Sequence, residues 1–227
     1  MDAWGNVKKP GVVTLMVDTS GSMTGEKLEQ ARQGTIRMVD NVDRATHVGL
    51  LTFSDAVNQR IPVAPVADTR FAIADAANRM TATGNTALYT ALQEAIRMTD
   101  EADADDGAIR GVVVLTDGKA NRGLPLHNLI QTMSRDETVL PVCWGFETVD
   151  GCGTTAAPAS VPRKDVLGTS MAVPTKHPIH VFYVGIGKDA DLEVGRILAE
   201  ATHAAFQATT TEKGQLASVL AVFGKYF

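Results

Sequence analysis

Three oxygen-bearing side chains stand at alternate positions directly after an apolar, β-branched run near the start of the chain. Residues 13–17 have the character of a buried strand, and Asp18, Ser20 and Ser22 follow in the pattern D-x-S-x-S. Alternate positions in a tight loop can aim three side chains at one point, and Gly21 gives that loop backbone freedom. One carboxylate with two hydroxyls suits a hard cation, which selects oxygen ligands. Ser and Asp are also common turn residues, so a plain loop is the alternative for this segment alone.

A second apolar run has the same kind of ending. Residues 110–116 read as a buried strand, and Asp117 and Gly118 follow it. Between the two runs, Thr86 stands just ahead of a helical stretch. In a parallel sheet, ligands bind beyond the carboxyl ends of the strands, where the strand order reverses. If the strands that end at Asp18 and Asp117 are neighbours, both acids lie in that crevice.

Asp18, Ser20, Ser22, Thr86 and Asp117, in that order, resemble the metal-ion-dependent adhesion site of the von Willebrand factor type A domain family. The resemblance runs from about residue 11 to residue 226. It implies a Rossmann-like fold in which the two acid-bearing strands are neighbours. It also implies that the hydroxyls contact the metal directly, while the two aspartates act partly through bound water.

Strands and helices alternate along the chain. Helices are predicted at residues 25–42, 69–80, 87–99, 125–134, 191–202 and 214–227, and further strands at 47–53, 57–61, 179–185 and 203–208. This order predicts a doubly wound α/β fold, with a mostly parallel sheet and helices on both faces. The more polar run 57–61 is predicted to form an antiparallel edge strand ahead of Pro62, and Asp68 to cap the following helix.

The 227 residues are predicted to form one domain, with a lead-in at residues 1–10 and an insertion at about 136–178. The insertion is rich in Gly, Pro, Thr and Ala, and loops of this length are typically functional or disordered. It contains the only two cysteines, Cys143 and Cys152. A disulfide between them would favour an extracytoplasmic location and free thiols the cytoplasm, so the compartment stays undecided.

Composition narrows the classes of partner. A hydrophobic content of 44% can bury a sizeable core, and a charged content of 21% is ordinary. A net charge of -5 without a long basic run argues against nucleic acid. No apolar run approaches the roughly 20 residues that span a bilayer, so direct membrane insertion is not expected. Residues 1–4 lack the basic and then apolar opening of a signal peptide. The oligomeric state is left open.

Two motifs suggest enzymes. Residues 168–174, G-T-S-M-A-V-P, resemble the nucleophile segment of subtilisin-like serine proteases and would make Ser170 the nucleophile. The histidine and aspartate contexts of that family are missing, so a loop of small residues is preferred. Residues 21–27 look like a phosphate-binding loop, but the spacing of G-x-x-x-x-G-K fails.

Residues beside the predicted site are expected to have supporting roles. Gly84 and Asn85 are predicted to shape the loop of Thr86, and Asp55 to serve in a turn or behind the ligands. Asn121 and Arg122 are expected to line the rim and contact a partner.

The sequence therefore predicts a non-enzymatic module that binds Mg2+, with Mn2+ or Ca2+ as alternatives. Only two of the five predicted ligands carry charge, so the bound cation can accept a carboxylate from a partner protein. The other hypothesis is a scaffold domain whose metal is structural and whose partner docks through the insertion at 136–178.

Overall fold

A computed structural model describes residues 10–118, 120–121, 175–188, 190–209, 216 and 218–220. Its strands are β1 (Gly11–Asp18), β2 (His47–Phe53), β3 (Val57–Pro65), β4 (Ile109–Thr116), β5 (Ile179–Ile186) and β6 (Phe206–Thr209). Its helices are α1 (Glu26–Asn41), α2 (Val66–Arg79), α3 (Leu88–Asp100) and α4 (Leu192–Ala201), and Gly21–Met23 forms one 3-10 turn.

The strands form a six-stranded sheet in the order β3-β2-β1-β4-β5-β6. All neighbouring pairs are parallel except β2 and β3, so β3 is an antiparallel edge strand. This arrangement confirms the predicted fold class. β1 lies between β2 and β4, so the chain winds outward from β1 in both directions. The strand order reverses between β1 and β4, and Asp18 and Asp117 lie at that point.

The core lies in two layers, one on each face of the sheet. Alternate residues of a strand point to opposite faces, so central parallel strands must be apolar on both sides. Val13, Leu15 and Val17 of β1 pack toward α1 and α2, whereas Met16 packs toward α3 and α4. Every residue of β1 is buried as a result. This buried strand, paired on both sides, positions the loop that follows it.

The predicted edge strand was too short, because β3 continues through Pro62 to Pro65. The pairing of β3 with β2 slips between Ala64 and Ile61, and this irregularity contains Pro62. Proline lacks an N–H donor and is tolerated at an edge or a bulge, where no ladder bond is needed.

The predicted start of the second helix was also wrong. α2 begins at Val66, and Asp68 lies within its first turn instead of capping it. An acid in the first turn still interacts favourably with the positive end of the helix. Asp191 does cap α4, because its Oδ1 accepts a hydrogen bond from Val194 N at 3.3 Å.

The end of the chain contributes to the core where it is described. Leu216 and residues 218–220 are helical, and Leu216 and Leu220 are buried on the α1 face. A Cβ atom at Gly34 of α1 would lie 2.7 Å from Leu220 Cδ1, so the absence of a side chain there permits the close packing.

Several predictions lie outside the described residues. They concern the helix at 125–134, the pair Cys143 and Cys152, the insertion up to residue 174, Ser170 and Arg122. Among the helices that are described, none has the length and apolar character needed to cross a bilayer.

Candidate metal site

Asp18 ends β1 and is fully buried. Its Oδ1 accepts a hydrogen bond from Ser20 N at 2.7 Å, and its Oδ2 accepts one from Thr116 Oγ1 at 2.5 Å. Burial raises the pKa of Asp18 above its ordinary value, and the charge of Asp117 adds to the rise, although the hydrogen bonds from Thr116 and Ser20 oppose it. A bound cation would stabilise the charged form of a buried carboxylate that lies beside a second acid.

The loop after Asp18 brings the two serines into line with Asp117. Ser20 Oγ lies 3.1 Å from Ser22 Oγ, and Ser22 donates a hydrogen bond of 2.7 Å from Oγ to Asp117 Oδ1. Thr19 anchors the loop to the neighbouring strand, because both its N and its Oγ1 donate to Phe53 O. The structure thus joins four of the five predicted ligands in one row, which runs from the end of β1 to the end of β4.

Thr86 reaches the same place from the loop before α3. Thr83 N donates to Thr19 O at 2.8 Å, and Gly21 N donates to Gly84 O at 2.9 Å, so this loop is tied to the serine loop. A Cβ atom at Gly118 would lie 3.7 Å from both Ser22 Oγ and Thr86 Oγ1. The hydroxyls of Ser22 and Thr86 therefore face the same glycine, directly after Asp117.

Asn121 holds Thr86 in place. Its Oδ1 accepts a hydrogen bond from Thr86 N at 2.9 Å, and its own N donates to Thr86 O at 3.1 Å. Asn121 is also exposed, so its predicted contact with a partner at the rim stays a prediction, to which the bonds with Thr86 add a positioning role. No sequence pattern pairs residues 35 positions apart, so this role could not have been predicted locally.

Asp55 supports the loop that carries Thr86. Its Oδ1 accepts a hydrogen bond of 2.7 Å from Asn85 Nδ2. Its Oδ2 lies 2.1 Å from where a Cβ atom of Gly84 would stand, and Gly84 has a φ of +79°. Glycine is favoured there both by the backbone conformation and by the space that Asp55 occupies. These contacts agree with the predicted supporting roles of Asp55, Gly84 and Asn85.

Lys27 contacts the site but was not among the predicted site residues. It is the second residue of α1, and its Nζ forms an ion pair with Asp117 Oδ2. In the sequence, Lys27 appears only as the last residue of the rejected phosphate-loop motif. One signal was available, because a lysine in the first turn of a helix opposes the helix dipole and an anionic partner would offset that effect.

The donor set fits a hard divalent cation. It consists of two carboxylates and three hydroxyls, so every predicted ligand atom is oxygen. Adjacent oxygens around octahedral Mg2+ are about 3 Å apart, given metal–oxygen distances of roughly 2.1 Å. The separations of Ser20 Oγ from Ser22 Oγ and of Ser22 Oγ from Asp117 Oδ1, 3.1 and 2.7 Å, are compatible with that spacing. The described residues contain no cluster of three or more His, Cys, Asp or Glu side chains suited to a metal, so hydroxyls would have to supply most ligands.

The family model of the von Willebrand factor type A domain matches residues 13–220. The chain therefore belongs to the von Willebrand factor type A domain family. The match spans the serine loop, Thr86 and Asp117, and also the insertion.

Related sequences include inter-alpha-trypsin inhibitor heavy chains. Heavy chain H4 of Sus scrofa is 26% identical over 139 residues, which cover 60% of this chain and 15% of the heavy chain. Heavy chain H4 of Bos taurus is 28% identical over 149 residues, which cover 61% of this chain and 16% of the heavy chain. The chain thus spans only about a sixth of the length of these curated relatives.

Solved structures share the fold. A von Willebrand factor type A protein from Catenulispora acidiphila superposes with a TM-score of 0.69 at 19% identity, covering 95% of this chain and 42% of that one. Proximal thread matrix protein 1 from the mussel byssus, with a zinc-occupied metal-ion-dependent adhesion site, gives a TM-score of 0.60 at 14% identity. That match covers 96% of this chain and 46% of the mussel chain. At these identities the likeness concerns the fold.

Proposed function

We propose that this chain is a protein-binding module that holds a divalent cation and captures an acidic residue of a partner protein. Asp18, Ser20, Ser22, Thr86 and Asp117 are the proposed ligands, Mg2+ is the proposed cation, and Mn2+ and Ca2+ are its alternatives. The observation that carries the proposal is the row of contacts from Ser20 through Ser22 to Asp117, at the point where the strand order reverses.

The position of the row agrees with ligand binding. In open α/β sheets, ligands bind in the crevice beyond the carboxyl ends of the strands at the reversal point. Ser22, in the middle of the row, is exposed, whereas Asp18, Ser20 and Asp117 are at most 1% exposed, so the row reaches the surface at Ser22. A group from a second molecule can therefore approach at Ser22 without disturbing Asp18.

The proposed ligands make two kinds of contribution. Asp18 and Asp117 supply the negative charge, and the hydroxyls of Ser20, Ser22 and Thr86 supply neutral oxygens. A bound divalent cation would supply a Lewis-acidic point that accepts one more oxygen ligand. Asn121 and the ties from Thr19 and Gly21 keep the hydroxyls in position, so little ordering is left to occur on binding.

What the relatives are named for agrees with a binding function. The mussel thread protein holds zinc in its metal-ion-dependent adhesion site. The matched heavy chains are named as parts of an inhibitor. We therefore propose a module that carries out no reaction and whose metal serves recognition.

Calorimetric titration with Mg2+, Mn2+ and Ca2+ tests the metal site. The unaltered chain is expected to bind at least one of them with a stoichiometry of one, and Asp18→Ala is expected to bind none. Equal heats for the two proteins would contradict the proposal. Asp103→Ala is a matched control, since Asp103 is an exposed acid outside the row.

A second measurement tests capture of an acid. A short peptide with a central glutamate is titrated into the Mn2+-loaded chain, and the same peptide with glutamine is the control. Binding should require both the glutamate and the metal, and should disappear in Ser22→Ala. If a natural partner instead binds Ser22→Ala undiminished, the scaffold hypothesis with docking through residues 136–178 gains support.

A further inference from the structure

Lys27 lies in a slot built by three separate segments. Its side chain extends from the first turn of α1 to Asp117 after β4, and it is only 20% exposed. At the end of β5, a Cβ atom at Gly187 would lie 3.1 Å from Lys27 Cε and 3.7 Å from its Nζ. Gly187 has a φ of +87°. This glycine leaves room for the lysine, so the placement of Lys27 depends on the fold and not on local sequence.

The two carboxylate oxygens of Asp117 have different partners. Oδ1 accepts a hydrogen bond from Ser22 Oγ, whereas Oδ2 pairs with Lys27 Nζ. The side chain of Asp117 is fully buried, so water does not replace either partner easily. The ammonium thus binds Oδ2, the oxygen that does not contact Ser22. The ion pair fixes the rotation of the carboxylate and leaves Oδ1 directed at Ser22.

Lys27 occupies an electrostatically unfavourable position in the first turn of α1. The N-terminus of a helix carries a partial positive charge, which favours acids and disfavours a lysine. Glu26 and Glu29 occupy favourable positions in that turn, and Lys27 stands between them. The pairing with Asp117 compensates for the unfavourable position, because ionic hydrogen bonds of buried groups are strong.

We propose that Lys27 is a positioning residue that selects an anionic partner for the metal site. This inference rests on the proposed function. Asp18 and Asp117 bring a charge of -2 and Lys27 brings +1, so the loaded site has a net charge of +1 instead of zero. The positive charge weakens binding of the bare cation and strengthens binding of an acidic group to the loaded site. It thereby couples stable metal binding to the arrival of the partner.

Replacement of the charge tests the coupling. Lys27→Met keeps the length and apolar stem of the side chain and removes the charge. Removal of a unit charge within a few ångströms of the site should tighten binding of Mn2+ in partner-free protein by about tenfold. The same variant, loaded with Mn2+, should bind the glutamate peptide several-fold more weakly than the unaltered chain. Opposite changes of the two affinities are a result that mere loss of packing would not produce.

Two control variants make the test specific. Lys188→Met removes the same charge from an exposed lysine next to Gly187 and should leave both affinities unchanged. Lys27→Arg keeps the charge and should keep the Mn2+ affinity within about threefold of the original. If Lys27→Met binds Mn2+ no more tightly, or if Lys188→Met has the same effect, the inference is overturned.

A measurement on the unaltered chain covers the case in which Lys27→Met does not fold. The lysines are acetylated with an excess of reagent, with and without Mn2+, and the extent at each lysine is measured by mass spectrometry. Lys27 should stay protected relative to Lys188 in both conditions, because a cation held through Ser22 and Asp117 Oδ1 would leave Oδ2 paired with Lys27. A rise in the reactivity of Lys27 on metal loading would show displacement of the lysine and would overturn the inference.

Failure of the inference and failure of the proposed function give different results. If the unaltered chain and Asp18→Ala show equal heats with every cation, the metal site itself is disproved. If the unaltered chain binds Mn2+ but Lys27→Met binds it with the same affinity, the metal site stands and only the role of Lys27 fails.

Discussion

Buried charges gather at both ends of the parallel strands, and the two groups are satisfied in different ways. At the amino ends, Arg110 donates to the backbone oxygens of Thr99, Ala102 and Ala104. Beside it, Asp100 accepts from the backbone N–H groups of Lys176 and His177 and pairs with the His177 ring. At the carboxyl ends, Asp18 and Asp117 rely largely on hydroxyls and on Lys27.

The two aspartates at opposite ends show the consequence. Burial raises the pKa of both Asp100 and Asp18. At Asp100 the hydrogen bonds from Lys176 and His177 outweigh burial, so its pKa lies below the ordinary value. At Asp18 burial prevails and the nearby Asp117 adds to it, so its pKa lies above the ordinary value. The amino end is a structural network in which backbone groups satisfy most of the buried charges, although Arg110 Nε has no hydrogen-bond partner among the described residues. The carboxyl end leaves negative charge incompletely compensated, as a cation site requires.

The largest effect on folding is expected from Arg110→Met at the amino end. The variant removes the donor to the carbonyl groups of Thr99, Ala102 and Ala104, and the bond to Thr99 O is buried. It should lower the free energy of unfolding by about 3 kcal/mol, measured by denaturant titration. The Mn2+ affinity of the folded fraction should not change.

Arg60→Met is the matched control for this prediction. Arg60 pairs with Glu94 but is half exposed, so the substitution should change the free energy of unfolding by less than about 0.5 kcal/mol. If Arg110→Met costs as little as Arg60→Met, the description of the amino end as a structural network is wrong.

Asp18→Asn tests the opposite end and should abolish stabilisation by the metal. A ligand at a hundredfold excess over its Kd stabilises a protein by about 2.7 kcal/mol. We expect the unaltered chain to gain about that amount from Mg2+ or Mn2+ in thermal unfolding, and Asp18→Asn to gain nothing. Asp100→Asn should keep the full gain, because Asp100 lies at the other end of the sheet. Equal gains in Asp18→Asn and the unaltered chain would remove the proposed distinction between the two ends.

The pH dependence of stability should separate the ends as well. Hydrogen bonds lower the folded-state pKa of Asp100 below its ordinary value of 3.8. The charged carboxylate therefore contributes stability that is complete above the unfolded-state pKa and is lost as the pH falls through the folded-state pKa. The unaltered chain should exceed Asp100→Asn in free energy of unfolding by about 1–2 kcal/mol at pH 6, and this difference should shrink below the ordinary pKa.

The control for the pH experiment is Asp103→Asn, which alters an exposed acid of the same loop region. The difference between the unaltered chain and Asp103→Asn should stay small throughout the acid range. If the difference for Asp100→Asn grows with falling pH, the hydrogen bonds to Asp100 do not favour its charged form.

Much of the fold could be predicted because its signals are local. The bounds predicted for β2 from its apolar run match the structure, and those predicted for β1, β4 and β5 differ from the observed bounds by one or two residues. Helical periodicity likewise located α1, α3 and α4 to within one residue at either end. The strand endings at Asp18 and Asp117 then identified the edge of the sheet where the two acids meet.

The remaining features depend on contacts between distant segments. Pro62 was expected to lie beyond the edge strand. The bulge that accommodates it becomes visible only in the pairing of β3 with β2. Asp68 has the composition of a cap, but α2 starts earlier, directly after β3. Lys27 and Asn121 act across 90 and 35 residues of chain, and no local spacing rule describes such pairs. The assignment of the five metal ligands remains a prediction, which the titrations above test.

The smallest expected effect belongs to Asn121→Ala, which separates positioning from ligation within the carboxyl end. The variant removes the acceptor of Thr86 N but leaves all five proposed ligands in the chain. Because Thr86 is also held by the bond from Asn121 N to its carbonyl, the Kd for Mn2+ should rise only about threefold, or about 0.7 kcal/mol. Asn41→Ala, at the far end of α1, should leave the Kd unchanged.

Loss of binding as complete as in Asp18→Asn would instead make Asn121 a direct participant. An unchanged Kd would mean that the bond from Thr86 N is not needed to hold Thr86, and the comparison of the two ends would then rest on the aspartates and serines alone.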